Sequence, residues 1–454
     1  MTADTRKRVL QCLTELERGG SYSHLRIKEM LDKCADLPAS QRAYMKRLAE
    51  GVTERRIELD AVIDRFSTGK KQTRRPQIRC ILRMGIYEIL YMDGVPDAAA
   101  CSEAVRLAKE SGAAGLSGYV NGLLRRVARE KQQGGFRDAE DLPLEVRYST
   151  PAWIVDLFTR RFGTEETKAL LGAMMEPRPV TIRMRSGMPE AEQAQLEERI
   201  REAGAQIRPA AIWPYSRYLQ ASGDLRRLPG YAEGLWTVQD ESSMFVVEAA
   251  GLQGGETVCD VCAAPGGKAM HAAGILEASG KGGTVYACDL SEKRTERMLE
   301  NIQRMHLANV QVRCRDASQP VPVSERGTAD VLLCDVPCSG LGVMGRKRDI
   351  KYRVTPEEIS ALAALQKQIL RESTALLKPG GTLIYSTCTI SREENEETAA
   401  FIQEELGLRP DSLLPYMPDL PRVKDSVQGN MLQLLPHVHG TDGFFIARFI
   451  KTQE

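Results

Sequence analysis

Residues 256–278, ETVCDVCAAPGGKAMHAAGILEA, pass from a short apolar run through a loop of small residues into a helical pattern. The spacing predicts a strand over 256–262, a tight turn over Ala263-Ala264-Pro265-Gly266-Gly267-Lys268, and a helix behind it. Downstream, strands and helices alternate. Strands are expected at GTVYACD (283–289), VQVRCRD (310–316), ADVLLCD (329–335), GTLIYST (381–387) and FFIARFI (444–450). Alternation of this kind predicts a largely parallel sheet covered on both faces.

In such a sheet, ligands collect at the carboxyl ends of the strands. The small residues let the backbone approach a ligand closely, and the helix N-terminus offers unpaired N–H groups. Asp289 ends the next strand, 22 residues after Gly267, where an acid typically accepts hydrogen bonds from a ribose diol. Asp316 closes the third strand, on the same edge, and is expected to border an adenine. The turn is neither G-x-G-x-x-G nor G-x-x-x-x-G-K-[ST], since Ala269 follows Lys268. A Gly-Gly turn by itself often only connects elements. With Asp289 and Asp316 it points to a nucleoside ligand.

The chain has 454 residues, 42% of them hydrophobic, which excludes general disorder and suggests roughly two to four domains. It holds no apolar run of about 18 residues, so no spanning helix and no membrane partner are expected. MTADTRKRVLQCLTEL reads as an amphipathic helix rather than a secretory signal. The eleven cysteines are expected as reduced thiols in a cytoplasmic protein. A net charge of +1 hides an asymmetry: residues 1–140 carry 26 Lys+Arg against 19 Asp+Glu. A basic first third suggests an anionic partner such as nucleic acid, against the plainer reading of uneven surface charge.

Residues 1–131 read as all-helical. RRPQIRCILRMGIYEILYMD places Ile78, Ile81, Leu82, Ile89 and Leu90 on one apolar stripe, with Pro76 in the first turn. SEAVRLAKESG and YVNGLLRRVARE read as two further helices, the second turning Val120, Leu123, Leu124 and Val127 inward. KQQGGFRDAEDLP (131–143) has linker composition. Beyond it, PAWIVDLFTRRFG and EAEQAQLEERIREAG read as helices closed by Gly163 and Gly204, and PVTIRMRS as a strand, together a small α+β module. The expected domains are 1–140, 141–234 and 235–454.

Two of the strands end in cysteine motifs, Asp335-Val336-Pro337-Cys338-Ser339-Gly340 and Ser386-Thr387-Cys388-Thr389. A lone cysteine is usually a small buried hydrophobe. Two at neighbouring strand ends can face one pocket. With AAPGGK, DVPCSG and STCT in place, the chain resembles the RNA cytosine-C5 methyltransferases that use S-adenosylmethionine. It resembles most the bacterial ribosomal small-subunit methyltransferase B (Sun/Fmu) family. The likeness runs along almost the whole chain, including WTVQDESSM (236–244) and HVHGTDGFFIARF (437–449). Residues 1–131, ending in YVNGLLRRV, resemble a NusB-like RNA-binding domain.

The resemblance implies a multidomain fold: an all-α NusB-like domain, a small α+β module and an α/β Rossmann-like methyltransferase domain. It implies an enzyme of the type that methylates C5 of cytosine 967 in 16S rRNA, acting on naked RNA or an early small-subunit particle. In it Cys388 is the nucleophile that adds to cytosine C6, Cys338 serves release, Asp335 bonds the N3/N4 edge, and Lys268 orients cofactor or base. S-adenosylmethionine is expected against Cys262, Ala263, Ala264, Pro265, Gly266, Gly267, Lys268, Asp289, Asp316 and Asp335. The target base must leave its stack to reach such a pocket. GRKRDIKYR (345–353) would suit phosphates beside it, the plainer reading being a solvated charged loop. Arg348 stands where relatives often carry Pro, Val336 where they carry Ala, and Arg185 replaces an Asn.

Other signals point nowhere further. Cys259-x-x-Cys262 lies on a strand that turns the two side chains to opposite faces, with no second such pair, and His437-x-His439 has no third ligand nearby, so no metal is expected. No N-P-P-Y or D-P-P-Y follows the fourth strand, which speaks against amino-group methylation. The alternatives are the same reaction on transfer RNA or another ribosomal RNA site, a non-catalytic RNA-binding assembly factor, and a small-molecule methyltransferase. The last would need neither two thiols nor a basic helical domain.

Overall fold

The computed structural model describes residues 3–19, 22–67, 75–136, 141–221 and 223–453. They form two compact units: Met1–Met175 with Arg346–Arg353, and Glu176–Gly345 with Val354–Glu454. This division differs from the three expected domains. Residues 141–175 and 346–353 join the N-terminal helices, while the four-stranded sheet of the small module joins the larger unit. Residues 137–140 of the expected linker lie outside the described residues.

The first unit is helical: α1 (Ala3–Glu17), α2 (Ser23–Asp32), α3 (Ala39–Glu54), α4 (Arg56–Phe66), α5 (Pro76–Tyr91), α6 (Asp97–Glu110), α7 (Ser117–Gln132), α8 (Leu144–Arg147), α9 (Ala152–Phe162) and α10 (Thr164–Met175). Helix α5 packs against α1, α3, α4, α6 and α7. It is therefore buried on nearly every side rather than along the single stripe expected, and Leu90 of that stripe is only half-buried. Val120, Leu123, Leu124 and Val127 of α7 do face the core. At Gly51 of α3 a Cβ would lie 2.0 Å from the ring of Tyr87, so that approach of α3 to α5 requires glycine.

A helix buried all round must also satisfy its charged residues. Arg83 makes a two-pronged bond to Asp60 at 2.6 and 2.7 Å and a third to Glu17. Glu88 accepts from Arg6 at 2.7 Å and from the hydroxyl of Tyr44.

The basic run 345–353 is neither a solvated loop nor, for most of its length, a surface open to phosphates. Arg348 pairs with Glu50 and Glu54 of α3, each at 3.2 Å. Asp349 accepts from the amide and hydroxyl of Ser23, both at 2.7 Å, at the start of α2. Lys351 is buried, and burial lowers its ammonium to about 7 against the opposing pull of Glu54. Tyr352 donates toward the carbonyls of Glu54 and Ser149. The sequence could not show that acids on α3 would claim these cations; Arg346, Lys347 and Arg353 stay exposed.

In the second unit, β1 (Val180–Met184), β2 (Gln206–Pro209), β3 (Ser216–Gln220) and β4 (Trp236–Val238) form an antiparallel sheet of order β2-β3-β1-β4, backed by α11 (Glu190–Glu202). After α12 (Glu241–Glu248) the larger sheet begins. Its strands are β5 (Thr257–Asp260), β6 (Thr284–Asp289), β7 (Val310–Cys314), β8 (Ala329–Asp335), β9 (Leu377–Thr387), β10 (Arg409–Pro410), β11 (Val427–Gln428), β12 (Met431–Leu434) and β13 (Phe444–Ile450). The intervening helices include α13 (Gly267–Ala278), α14 (Glu292–Arg304), α15 (Pro356–Ser373) and α16 (Glu396–Glu404).

The order is β11-β12-β13-β9-β8-β5-β6-β7, with β10 on β13. β7, β6, β5, β8 and β9 run parallel, as expected; β10 to β13 pair antiparallel, and the short β10, β11 and β12 carry too few residues to be read from pattern. One core cluster holds side chains of α12, α13 and β5, another those of β8, β9, α15 and α16, so both faces are covered. No helix among the described residues is long and apolar enough to cross a membrane.

Removing one partner of a buried ion pair leaves the other charge unsolvated. Glu88→Ala is expected to destabilise the first unit by about 2–4 kcal/mol, since Arg6 then keeps only the looser pairing with Glu103 at 3.8 Å. Hydrogen exchange of the α5 amides across a urea series measures this. A change under about 1 kcal/mol would mean that Arg6 finds another partner or water.

Candidate active site

The first parallel strand, β5, delivers the loop Val261–Gly266 to the sheet edge, and α13 begins at Gly267. The Ala263 amide donates to the Cys288 carbonyl of β6 at 2.8 Å and the Ala264 amide to Asp289 at 3.1 Å. These bonds pin the loop to the next strand. Gly266 has φ +101°, and a Cβ there would meet Met298 at 2.9 Å, so the turn needs glycine. No side chain caps α13, and the nearest atom to a Cβ built on Gly267 is Gln239 Nε2 at 3.9 Å. The structure thus gathers Cys262, Ala263, Ala264, Pro265, Gly266 and Gly267 into one turn at an uncapped helix N-terminus.

Asp289 is buried and also accepts from Ser291, with Arg294 at 3.3 Å. Asp316 accepts from the amide and hydroxyl of Ser318, which hold its carboxyl below the usual range. The Arg315 amide donates to the Asp289 carbonyl at 2.9 Å, so the tips of β6 and β7 stay together.

On the other side of β5, strands β8 and β9 pair in parallel with Asp335 opposite Ser386. That register brings the two cysteine loops together: the sulfurs of Cys338 and Cys388 lie 3.3 Å apart. Lys268, the first-turn residue of α13, reaches across to Asp335 at 2.6 Å, and Ser386 donates to the other Asp335 oxygen at 2.9 Å. Burial pulls the Lys268 ammonium down, but Asp335, Asp260 and Cys388 outweigh it and leave it raised. Cys338 is pushed well above the ordinary thiol value by its bond to Cys388, by burial and by Glu394. All four expected catalytic residues, Cys388, Cys338, Asp335 and Lys268, therefore share one locus.

Several residues here gave no signal in the sequence. Glu394 is fully buried and accepts from the Ser339 amide at 2.8 Å, from the Ser339 hydroxyl, and from Gln366 at 3.1 Å. Asn395 accepts from Thr387 at 2.5 Å and donates to the Thr389 carbonyl at 3.2 Å. The Ser339 and Thr389 hydroxyls meet at 2.7 Å. Gly342 sits so close to Gly443 that a Cβ would lie 2.0 Å from its carbonyl, and its amide donates to the Cys388 carbonyl. The only sequence hint was the nearness of SREENE to Cys388.

Asp260, at the end of β5, is 1% exposed, and neither of its oxygens meets a partner in hydrogen-bond geometry. Burial and Asp335 raise its carboxyl to about 7 against the pull of Lys268 and the Cys262 amide. Of the signals set aside earlier, Cys259 is buried against Cys288. His439 is buried and bonded to Leu435 and Ser426, in a packing role. Among the described residues, no group of three or more His, Cys, Asp or Glu could hold a metal ion.

A family model described as 16S rRNA methyltransferase RsmB/F matches residues 248–450, and one for the NusB family matches residues 3–129. The probable ribosomal RNA small subunit methyltransferase B of Synechocystis sp. is 36% identical over 443 residues, covering 97% of each chain. That of Bacillus subtilis is 35% identical over 446 residues, again 97% of each. Among solved structures, NSun6 from Pyrococcus horikoshii, carrying an S-adenosylmethionine analogue, shares the fold with TM-score 0.59 and 22% identity, over 67% of this chain and 99% of its own.

The raised Asp260 gives a pH test. Between a carboxyl value of about 4 in the unfolded chain and about 7 in the folded one, only the folded protein keeps the proton. The stability this confers is present at the acid end and is lost as pH rises through that window. Asp260→Asn removes the titration, so its stability relative to the parent should rise from about pH 4 to about pH 8, by at most about 4 kcal/mol. Urea denaturation at several pH values measures it; a pH-independent difference would show that Asp260 titrates normally.

Proposed function

The chain belongs to the family of ribosomal RNA small subunit methyltransferase B, and on that premise we propose that it methylates C5 of a cytosine in 16S rRNA, as the cytosine-967 type does, through a covalent cysteine adduct. It is an RNA methyltransferase that uses S-adenosylmethionine. The observation that carries the finer reading is the pair of sulfurs 3.3 Å apart beside the Lys268–Asp335 ion pair. A small-molecule methyltransferase has no need of it.

The residues present fit the cofactor. Gly267 leaves space beside the turn, with Gln239 no nearer than 3.9 Å to where a Cβ would stand, the uncapped start of α13 offers N–H groups to a carboxylate, and Asp289 and Asp316 stand at the two following strand tips. In this reading Cys262 to Lys268, Asp289, Asp316 and Asp335 hold it. When bound, S-adenosylmethionine supplies an electrophilic methyl group on a sulfonium.

The remaining steps fall to the chain's own side chains. Cytosine C5 is a poor carbon nucleophile. The Cys388 thiolate adds to C6, and the C5=C6 π pair moves into the ring, making C5 an enamine carbon. Asp335 lies along the N3/N4 edge and favours protonation at N3 as charge builds there, while Lys268 fixes the Asp335 carboxylate. C5 takes the methyl group and then loses its proton to a base. The C5=C6 bond re-forms, and the C6–sulfur bond breaks with its pair returning to Cys388. Cys338 serves this release. Residues 1–140 are assigned to holding RNA, 141–234 to supporting recognition and 235–454 to catalysis.

Incubation with labelled cofactor and unmodified 16S rRNA, followed by bisulfite mapping, should place 5-methylcytosine at one position. Label confined to transfer RNA would move the target, and none on any RNA would favour an assembly factor. Cys388→Ala should abolish turnover, by at least about 10³-fold, and keep cofactor binding, whereas Cys338→Ala should trap a protein–RNA adduct that survives denaturing gels. The reverse pattern would exchange the two roles.

A further inference from the structure

Two thiols can divide one reaction between them only if their loops are held in register. Neither loop is a strand at that point, so the sheet's own hydrogen bonds stop short of both: β8 ends at Asp335 and β9 at Thr387. Three and one residues farther on, something else must fix Cys338 and Cys388. Side chains from a single turn do so. Glu394 takes both the amide and the hydroxyl of Ser339, the residue after Cys338. Asn395 takes the hydroxyl of Thr387 and gives a hydrogen to the carbonyl of Thr389, the residues on either side of Cys388.

The anchor itself is well supported. Gln366 of α15 donates both to Glu394 and to the Pro337 carbonyl, tying the same turn to the residue before Cys338. The Tyr385 hydroxyl donates to the Glu394 carbonyl, and Asn395 also donates to Gln433 at 2.9 Å. Glu394, Asn395, Ser339, Thr387 and Thr389 are all buried. A carboxylate in such a place is costly unless its bonds are made, and these run to Ser339 and Gln366, with Thr389 also in reach.

We propose that Glu394 and Asn395 form a positioning pair, Glu394 setting Cys338 through Ser339 and Asn395 setting Cys388 through Thr387 and Thr389. This rests on the two-thiol reading above and assigns neither residue contact with substrate. Glu394 is among the groups that raise Cys338, whereas the Lys268 ammonium interacts with Cys388.

The test separates early from late steps. With the full-length protein, S-adenosylmethionine and transcribed 16S rRNA, Glu394→Ala should bind cofactor and RNA within about twofold of the parent. It should also slow turnover by about 10²-fold and accumulate a denaturation-resistant adduct with both cysteines intact. Asn395→Ala should slow the first turnover by a similar factor and accumulate no adduct. Glu394→Gln, whose amide can still accept from the Ser339 amide and meet its hydroxyl, should recover most of the rate. Ser339→Ala removes the hydroxyl's bonds to Glu394 and Thr389 while keeping the amide bond to Glu394, and serves if Glu394→Ala does not fold; it too should accumulate adduct.

Parent-like turnover in Glu394→Ala, or the same step slowed in both variants without adduct, overturns the proposal. Ser339→Ala without adduct does so if Glu394→Ala is unfolded. Cys388→Ala run alongside isolates the premise: if it stays active, the two-thiol reading fails, and if it is inactive while Glu394→Ala turns over normally, only the positioning pair fails.

Discussion

The site depends on the parallel pairing of β8 with β9. With Asp335 set opposite Ser386, two loops that leave different strands are delivered to one place, and their sulfurs come within 3.3 Å. A slip of one residue would turn each side chain of a strand to the opposite face and part the thiols. In that register Leu332, Leu333, Leu383 and Ile384 are wholly buried on the two faces of the sheet. Central placement helps, because β8 and β9 have neighbours on both sides in β5 and β13.

The electrostatics of the pocket follow from the same geometry. Asp260, Asp289 and Asp335 all stand at carboxyl ends of parallel strands, and Lys268 supplies a cation from the first turn of α13. Lys268 stays charged because it is bonded to Asp335, and Asp260 holds a proton more tightly because it is buried beside Asp335. The same principle governs the first unit, where buried Arg83 and Glu88 persist because each is bonded to a partner of opposite charge.

Much of this was legible in the residues. The strand-loop-helix unit at 256–278, the parallel strands from β5 to β9, and the ends of helices at Gly163 and Gly204 all appear where period and turn chemistry place them. The antiparallel additions β10, β11 and β12 did not, being two to four residues long. Helix α5 was read as one-faced, since sequence spacing shows which side is apolar and not how many neighbours surround it. The pattern of the basic run 345–353 suits phosphates or open solvent, since its acids, Glu50 and Glu54, lie about 300 positions earlier in the chain.

What the sequence determined by itself was local: where the chain bends and which motifs carry thiols, acids and glycines, because hydrophobic period and backbone sterics act over a few residues. Tertiary structure decided which of those pieces meet. Glu394 reaches Ser339 across 55 residues, and Lys268 reaches Asp335 across 67. Such pairings depend on strand order and register, which are properties of the packed sheet and are written in no short stretch of the chain.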